Sequence, residues 1–196
     1  MNDSSTGGYL APAVDAPPDE DDALDDLVHD LIVGVTALPS DLVRPRWQPV
    51  VAKQPEPSAN WCAFGIAEQR PDASPAIQHD GADEGGDTYI RHEEFSVACT
   101  FYGPAAKGYA QRLADGLAIP QNREALGAND MAFISVSEIR AAPDLVNQQW
   151  IRRYDMTVTL RRKIVRAYAV LNIMSAELST TTDAAQPVSQ TSTVTQ

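Results

Sequence analysis

Apolar and polar residues alternate most regularly over EEFSVACTFYG, where Phe95, Val97, Cys99 and Phe101 take one side and Ser96, Ala98, Thr100 and Tyr102 the other. A period of two is the signature of a strand with one buried face. WIRRYDMTVTLRR repeats it, with Tyr154, Met156, Val158 and Leu160 set against Arg153, Asp155, Thr157 and Thr159. NWCAFGIAEQ, at 60–69, reads as a third strand with Cys62, Phe64 and Ile66 on one face, and MAFISVSEIR as a fourth. IVRAYAVLNI continues the second pattern past a bend or forms a further strand. A different period governs 21–37, where Leu24, Leu27, Val28, Leu31, Ile32 and Val35 recur three and four apart. That spacing predicts an amphipathic helix, with Asp21, Asp22, Asp25 and Asp26 at its positive end and Pro39 as its stop. A second helix is expected over 105–117, burying Ala106, Tyr109, Ala110, Leu113 and Leu117, and a short helical piece over 120–126 with Pro120 near its start.

Between these elements, Pro45, Pro49, Pro55 and Pro57 forbid a helix and confine any strand to a sheet edge. Residues 70–87 read as a turn-rich surface loop, and DLVNQQ as a polar connection. Strands do not alternate regularly with helices, so the predicted class is α+β: an antiparallel or mixed sheet flanked by helices, with extended arms at both ends. Three regions are expected: an acidic, Pro/Gly-rich arm over 1–20, the domain over 21–174, and a Ser/Thr/Gln-rich tail over 175–196 that would not fold in isolation.

Charge sharpens this division. The chain of 196 residues carries a formal net charge of −12. Nine acids and no Lys or Arg lie in residues 1–30, which leaves 18 acids against 15 bases in the remainder. A dedicated nucleic-acid binder would carry a strong basic footprint, and this chain does not. Locally the balance reverses: residues 140–166 hold Arg140, Arg152, Arg153, Arg161, Arg162, Lys163 and Arg166 against Asp144 and Asp155. Two readings stand side by side, a solvated strand face with internal ion pairs, and an interface to an acidic neighbour, since arginine is enriched in interfaces. On the second, Arg152, Arg153, Arg161, Arg162, Lys163 and Arg166 are the candidate contact residues. Arg161, Arg162, Lys163 and Arg166 are expected to reach one edge together, where the strand ends or bends.

Candidate chemistry is sparse. FYGPAAKGYA invites comparison with a phosphate loop, but Pro104 lacks an N–H, Lys107 precedes Gly108, and Tyr109 occupies the place of the magnesium-binding hydroxyl. Gly103 is expected to free a turn and Pro104 to start the helix. Cys62 and Cys99 form no C-x-x-C motif and read as small buried residues. His29, His79 and His92 fall on different elements, with His29 expected on the wet side of its helix and His79 in an acidic loop. No nucleophile elbow is present, so no catalytic, metal or cofactor residue is assigned. No apolar run approaches 18 residues and the start has no leader pattern, so the expectation is a protein assembled in a cytoplasm without a membrane span.

Taken in order, NWCAFGI, FSVACTFYGPAA, DGLAIPQNREAL and PDLVNQQWIRRYDMTVTLRRKIVRAY resemble the phage neck (tail) terminator family, over roughly Asp22 to Met174. The resemblance implies a tail-terminator-like fold, and a ring of six copies at the top of the tail tube in the virion. It also implies as partners the tail tube protein, the head-completion or connector protein, and DNA passing through the lumen without sequence-specific binding. No catalytic residues come with it. Other head–tail adaptors, a tube subunit, or an enzyme on the same kind of scaffold are the competing readings.

Overall fold

Leu24, Val28, Ile32 and Thr36 form the buried stripe of the first helix, α1 (Asp22–Thr36), in the computed structural model of the chain. The model describes residues 2–13, 20–50, 52–146, 148–181 and 189–195, and of 175–195 the backbone alone. Asp15 and Asp19 of the acidic start therefore lie outside the described residues. The chain divides into two compact units, one of Met1–Pro17, Ala76–Ile90 and Val165–Gln196, the other of Pro18–Pro75 and Arg91–Ile164.

In the second unit, α1 ends where Ala37 turns left-handed (φ 57°) and donates to the carbonyl of Val33. Thr36 satisfies its buried hydroxyl by donating to the carbonyl of Ile32 at 2.6 Å. Arg112 of the second helix, α2 (Ala106–Ala118), donates to the carbonyl of Thr36 at 2.7 Å, placing a cation at the negative end of α1. Ala106, Ala110, Leu113 and Leu117 are the buried face of α2. Asn122 caps its end by donating to the carbonyl of Gly116 at 2.9 Å, from a 3-10 turn over Pro120–Arg123 that leads into α3 (Glu124–Ala128).

The strands are β1 (Val43–Pro45), β2 (Trp61–Pro71), β3 (Ala76–Asp80), β4 (Gly86–Tyr102), β5 (Met131–Val136), β6 (Arg140–Ala141), β7 (Asp144–Val146), β8 (Gln149–Ile151), β9 (Arg153–Tyr168), β10 (Ser175–Thr181) and β11 (Ser189–Thr195). The main sheet follows the path β1-β2-β4-β9-β5, with β6 also on β9. β1 runs parallel to β2 at the edge, the only kind of place a strand containing Pro45 fits; β2 with β4 and β5 with β9 are antiparallel. Cys62 and Phe64 of β2, Phe95, Val97, Cys99 and Phe101 of β4, and Met156, Val158 and Leu160 of β9 form one core with the buried faces of α1 and α2. Both cysteines are free within it, and burial pushes the Cys62 thiol up.

In the first unit, β3 pairs antiparallel with Gly86–Ile90 of β4. Residues 4 and 13 of the N-terminal arm bond to the end of β9 and the residue after it: Ser4 N–H donates to the carbonyl of Ala169 and Ala13 N–H to that of Ala167. β10 and β11 pair with each other over seven residues.

Four expectations are corrected. Residues 70–87 are not a loop: β2 runs on to Pro71, and β3 with the start of β4 forms a hairpin. Every residue of β3 is exposed, so no apolar alternation marks it. DLVNQQ is not a plain connection either, because β7 and β8 pair across a turn at Gln148 (φ 63°). β9 does not end at Arg161; it continues, with its alternation of burial, to Tyr168. Pro104 sits in a turn two residues before α2 and does not start it; the N–H of Ala105 is met by the side chain of Asn60 at 2.7 Å.

Gly103 has φ 104°, and a Cβ there would lie 2.3 Å from the carbonyl oxygen of Ala59. Gly103→Ala should therefore lower unfolding free energy by about 2 kcal/mol or more. Gly108, inside α2 with open space around it, should gain about 0.5–1 kcal/mol as alanine. Urea unfolding of the two variants checks both signs.

Candidate functional site

Alternation along β9 decides where its cations go. Arg153, Asp155, Thr157, Thr159, Arg161 and Lys163 share the face turned from the helices, while Tyr154, Met156, Val158, Leu160, Arg162 and Ile164 share the core face. Successive residues of the basic run thus leave on opposite sides of the sheet, and they do not gather at one edge. Arg153 and Arg161, on the same face, are eight residues apart, roughly 26 Å along the strand.

Arg162 is 3 % exposed, in the row of the core. Its Nε donates to Glu93 Oε1 at 2.7 Å and its Nη2 to Glu20 Oε2 at 2.8 Å. Glu93 occupies the corresponding inward row of β4 and is 4 % exposed; Arg91 also donates to it, at 3.3 Å. The guanidinium lies over the ring of Phe95, 5.8 Å from its centroid. Burial works against the charge of Arg162, and the hydrogen bonds to Glu20 and Glu93 more than offset it, so the group is held protonated more firmly than a free arginine.

Arg161, on the other face, donates to Asp72 Oδ2 at 2.5 Å and Glu94 Oε1 at 3.2 Å. Arg153 forks onto Asp155 at 3.0 and 2.9 Å and reaches Asp144 at 3.4 Å. The bonds to Asp155 hold Arg153 charged. Asp155 also accepts from Thr100 at 2.7 Å, and Thr100 in turn is bonded by Arg46. Arg152, exposed, donates to the carbonyl of Pro104 at 2.9 Å. Lys163 is exposed, with its backbone N–H on the carbonyl of Asp130. Arg166 is partly exposed and belongs to the first unit. Among the described ion pairs, Arg153, Arg161 and Arg162 hold carboxylates of their own chain.

Aromatic residues that the sequence reading did not single out stand on the face turned from the helices. Trp61 stacks on Tyr102 at 4.3 Å and 10°, with Arg153 above Tyr102 at 5.9 Å. Trp47 lies against Gly65, where a Cβ would come within 2.6 Å of the indole. These rings wall a groove of 440 Å³ completed by Arg44, Arg46 and Pro55. Trp47 is 71 % exposed; on the β7–β8 hairpin, Trp150 is 70 % and its cross-strand partner Leu145 60 % exposed. A proline-rich segment and a short polar-looking hairpin hide such residues from periodicity; tryptophan in a segment with no buried face is the signal that would have found them.

His29 is not on the wet side of α1. Its side chain is 20 % exposed, near Phe64, with Nε2 at 3.1 Å from the carbonyl of Ser40. Among the described residues no three metal-ligating side chains come together, and no helix is long and apolar enough to cross a membrane.

Large exposed aromatics with arginine beside them share the composition of contact surfaces. The family model described as phage neck terminator protein matches residues 22–185. The chain belongs to the phage neck terminator protein family. It is accordingly a structural protein of the phage virion and not an enzyme. The matched span of this neck terminator covers α1 through β10, and so includes both the arginine-bearing strand and the aromatic groove. No curated protein matches the chain.

Removing one member of the buried pair should separate structural from surface cations. Arg162→Met leaves Glu93 in the core with Arg91 as its remaining cation among the described ion pairs and should cost about 3 kcal/mol. Lys163→Ala should stay within about 0.5 kcal/mol of the parent. Thermal and urea unfolding of the two variants check the contrast.

Proposed function

We propose that this neck terminator closes the end of the tail tube as a ring of six copies, at the top of the tail, and offers its other side to the head connector. DNA passes through the lumen, and the ring assembles in the cytoplasm of the bacterial host before joining the virion. The observation that carries this reading is the family match over most of the chain, joined to a groove and hairpin that expose Trp47, Trp150 and Leu145. Aromatic anchors with arginine beside them are the composition of contact surfaces.

The reading extends to the terminal arms and to the basic strand. The acidic residues of 1–20 and the tail over 175–196 contact neighbouring copies or partner rings. Of the six candidates, Arg152 and Lys163 are exposed and make none of the described ion pairs, and they are the cations to face an acidic neighbour. Tight phosphate binding in the lumen would obstruct DNA movement, so the ring should bind duplex DNA weakly.

Native mass spectrometry of the purified chain, alone and with tail tube, tests this. The expected result is a closed oligomer of six, weakened by Trp150→Ser or Lys163→Glu with the subunit still folded. A monomer at every concentration, with and without tube, overturns it. Fluorescence anisotropy with duplex DNA at physiological salt should show no sub-micromolar binding; a tight, steeply salt-dependent complex would make the basic residues a DNA site instead.

A further inference from the structure

His79 lies in the first unit, on β3, opposite Asp87 of β4. Its Nδ1 is 2.6 Å from Asp87 Oδ1 and its Nε2 is 2.7 Å from Asn172 Oδ1. A second bond of the side chain orients the Asn172 amide. Its Nδ2 donates to the carbonyl of Asp83 at 3.2 Å, so Oδ1 is the atom turned to the histidine, and its backbone N–H donates to the carbonyl of Glu84 at 2.8 Å. Both ring nitrogens therefore meet oxygens that can only accept. A neutral imidazole has one N–H and satisfies one of them; the imidazolium has two and satisfies both.

Of the charged groups on the elements around the ring, Asp87 and Asp80 favour the proton. Asp87 and Asp80 lie on the two hairpin strands and Asp83 and Glu84 in the turn between them. Residues 169–174 carry no ionisable side chain, the arm brings Asp3, and β9 brings Arg166 and Tyr168. The hydrogen bond to Asp87, then that to Asn172, raises the His79 pKa above its ordinary value.

The segment held by this contact holds the N-terminal arm in turn. Ala169 accepts from Ser4, the N–H of Leu171 donates to the Ser4 hydroxyl at 2.7 Å, and Ala167 accepts from Ala13. Gly85, at φ 89° with Asn172 N–H 2.7 Å from where a Cβ would be, lets the turn close on the segment.

We propose that His79 is a proton-operated clasp: protonated, it ties the β3–β4 hairpin to residues 169–172 and so steadies the seat of the N-terminal arm, and on losing its proton it lets that seat loosen. Because the folded pKa is raised, the stabilisation is complete below the unfolded value of about 6.5 and is lost as pH rises through the folded value. The chemistry concerns one subunit and does not depend on ring formation.

The test is NMR on the full chain between pH 5.5 and 8.5. The His79 ring should titrate above about 6.5 with both nitrogens protonated below the midpoint. Protection of the Asn172, Ser4 and Ala13 amides, corrected for intrinsic exchange, should fall across that same range, by at most about tenfold for each unit by which the pKa is raised. Asp87→Asn should return the midpoint toward the ordinary value and shrink the fall; His79→Gln should abolish the pH dependence. A His79 midpoint at or below about 6.5, or amide protection that does not change with pH in the parent chain, overturns the proposal.

Discussion

A buried ion pair sets the register on which this fold rests. Arg162 and Glu93 stand in the inward rows of adjacent strands, one on β9 and one on β4, and each is nearly closed off from solvent. The other side-chain pairs across these strands, Glu94 with Arg161, Thr100 with Asp155 and Tyr102 with Arg153, step up one strand by as many residues as they step down the other. That is an antiparallel register held by polar contacts at both ends and apolar ones between. A slip of one residue would turn Arg161 into the core and Leu160 out of it, leaving Glu93 without its partner. Such a pair contributes less to net stability than to excluding that alternative, because its desolvation cost consumes much of its attraction.

The same alternation explains what the sequence made legible. Core residues of β4, β9 and α2 follow directly from periods of two and 3.6, and Leu24, Val28 and Ile32 of α1 do so as well. Arg162 was open to the same logic, since continuing the rhythm of Tyr154, Met156, Val158 and Leu160 by one step places it inward. A charge at a core position reads as the end of a strand unless its partner is known, and that partner, Glu93, lies 69 residues away. The β3–β4 and β7–β8 hairpins were hidden for the opposite reason. Their side chains face solvent on both sides or nearly so, and exposed strands carry no buried row for periodicity to report.

Function was legible through resemblance and not through chemistry. Gly103 and Pro104, which invite a phosphate-loop reading, turn the chain against the carbonyl of Ala59. Arg153, Arg161 and Arg162 of β9 hold carboxylates of their own chain, and for that reason the proposed contact surface is the aromatic groove and the exposed hairpin.

The central claim, that this chain ends the tail and joins it to the head, is tested most directly by electron micrographs of lysates from phage lacking it. The account predicts filled heads unattached to tails, with tails of irregular length. Tails of normal length attached to heads would contradict it.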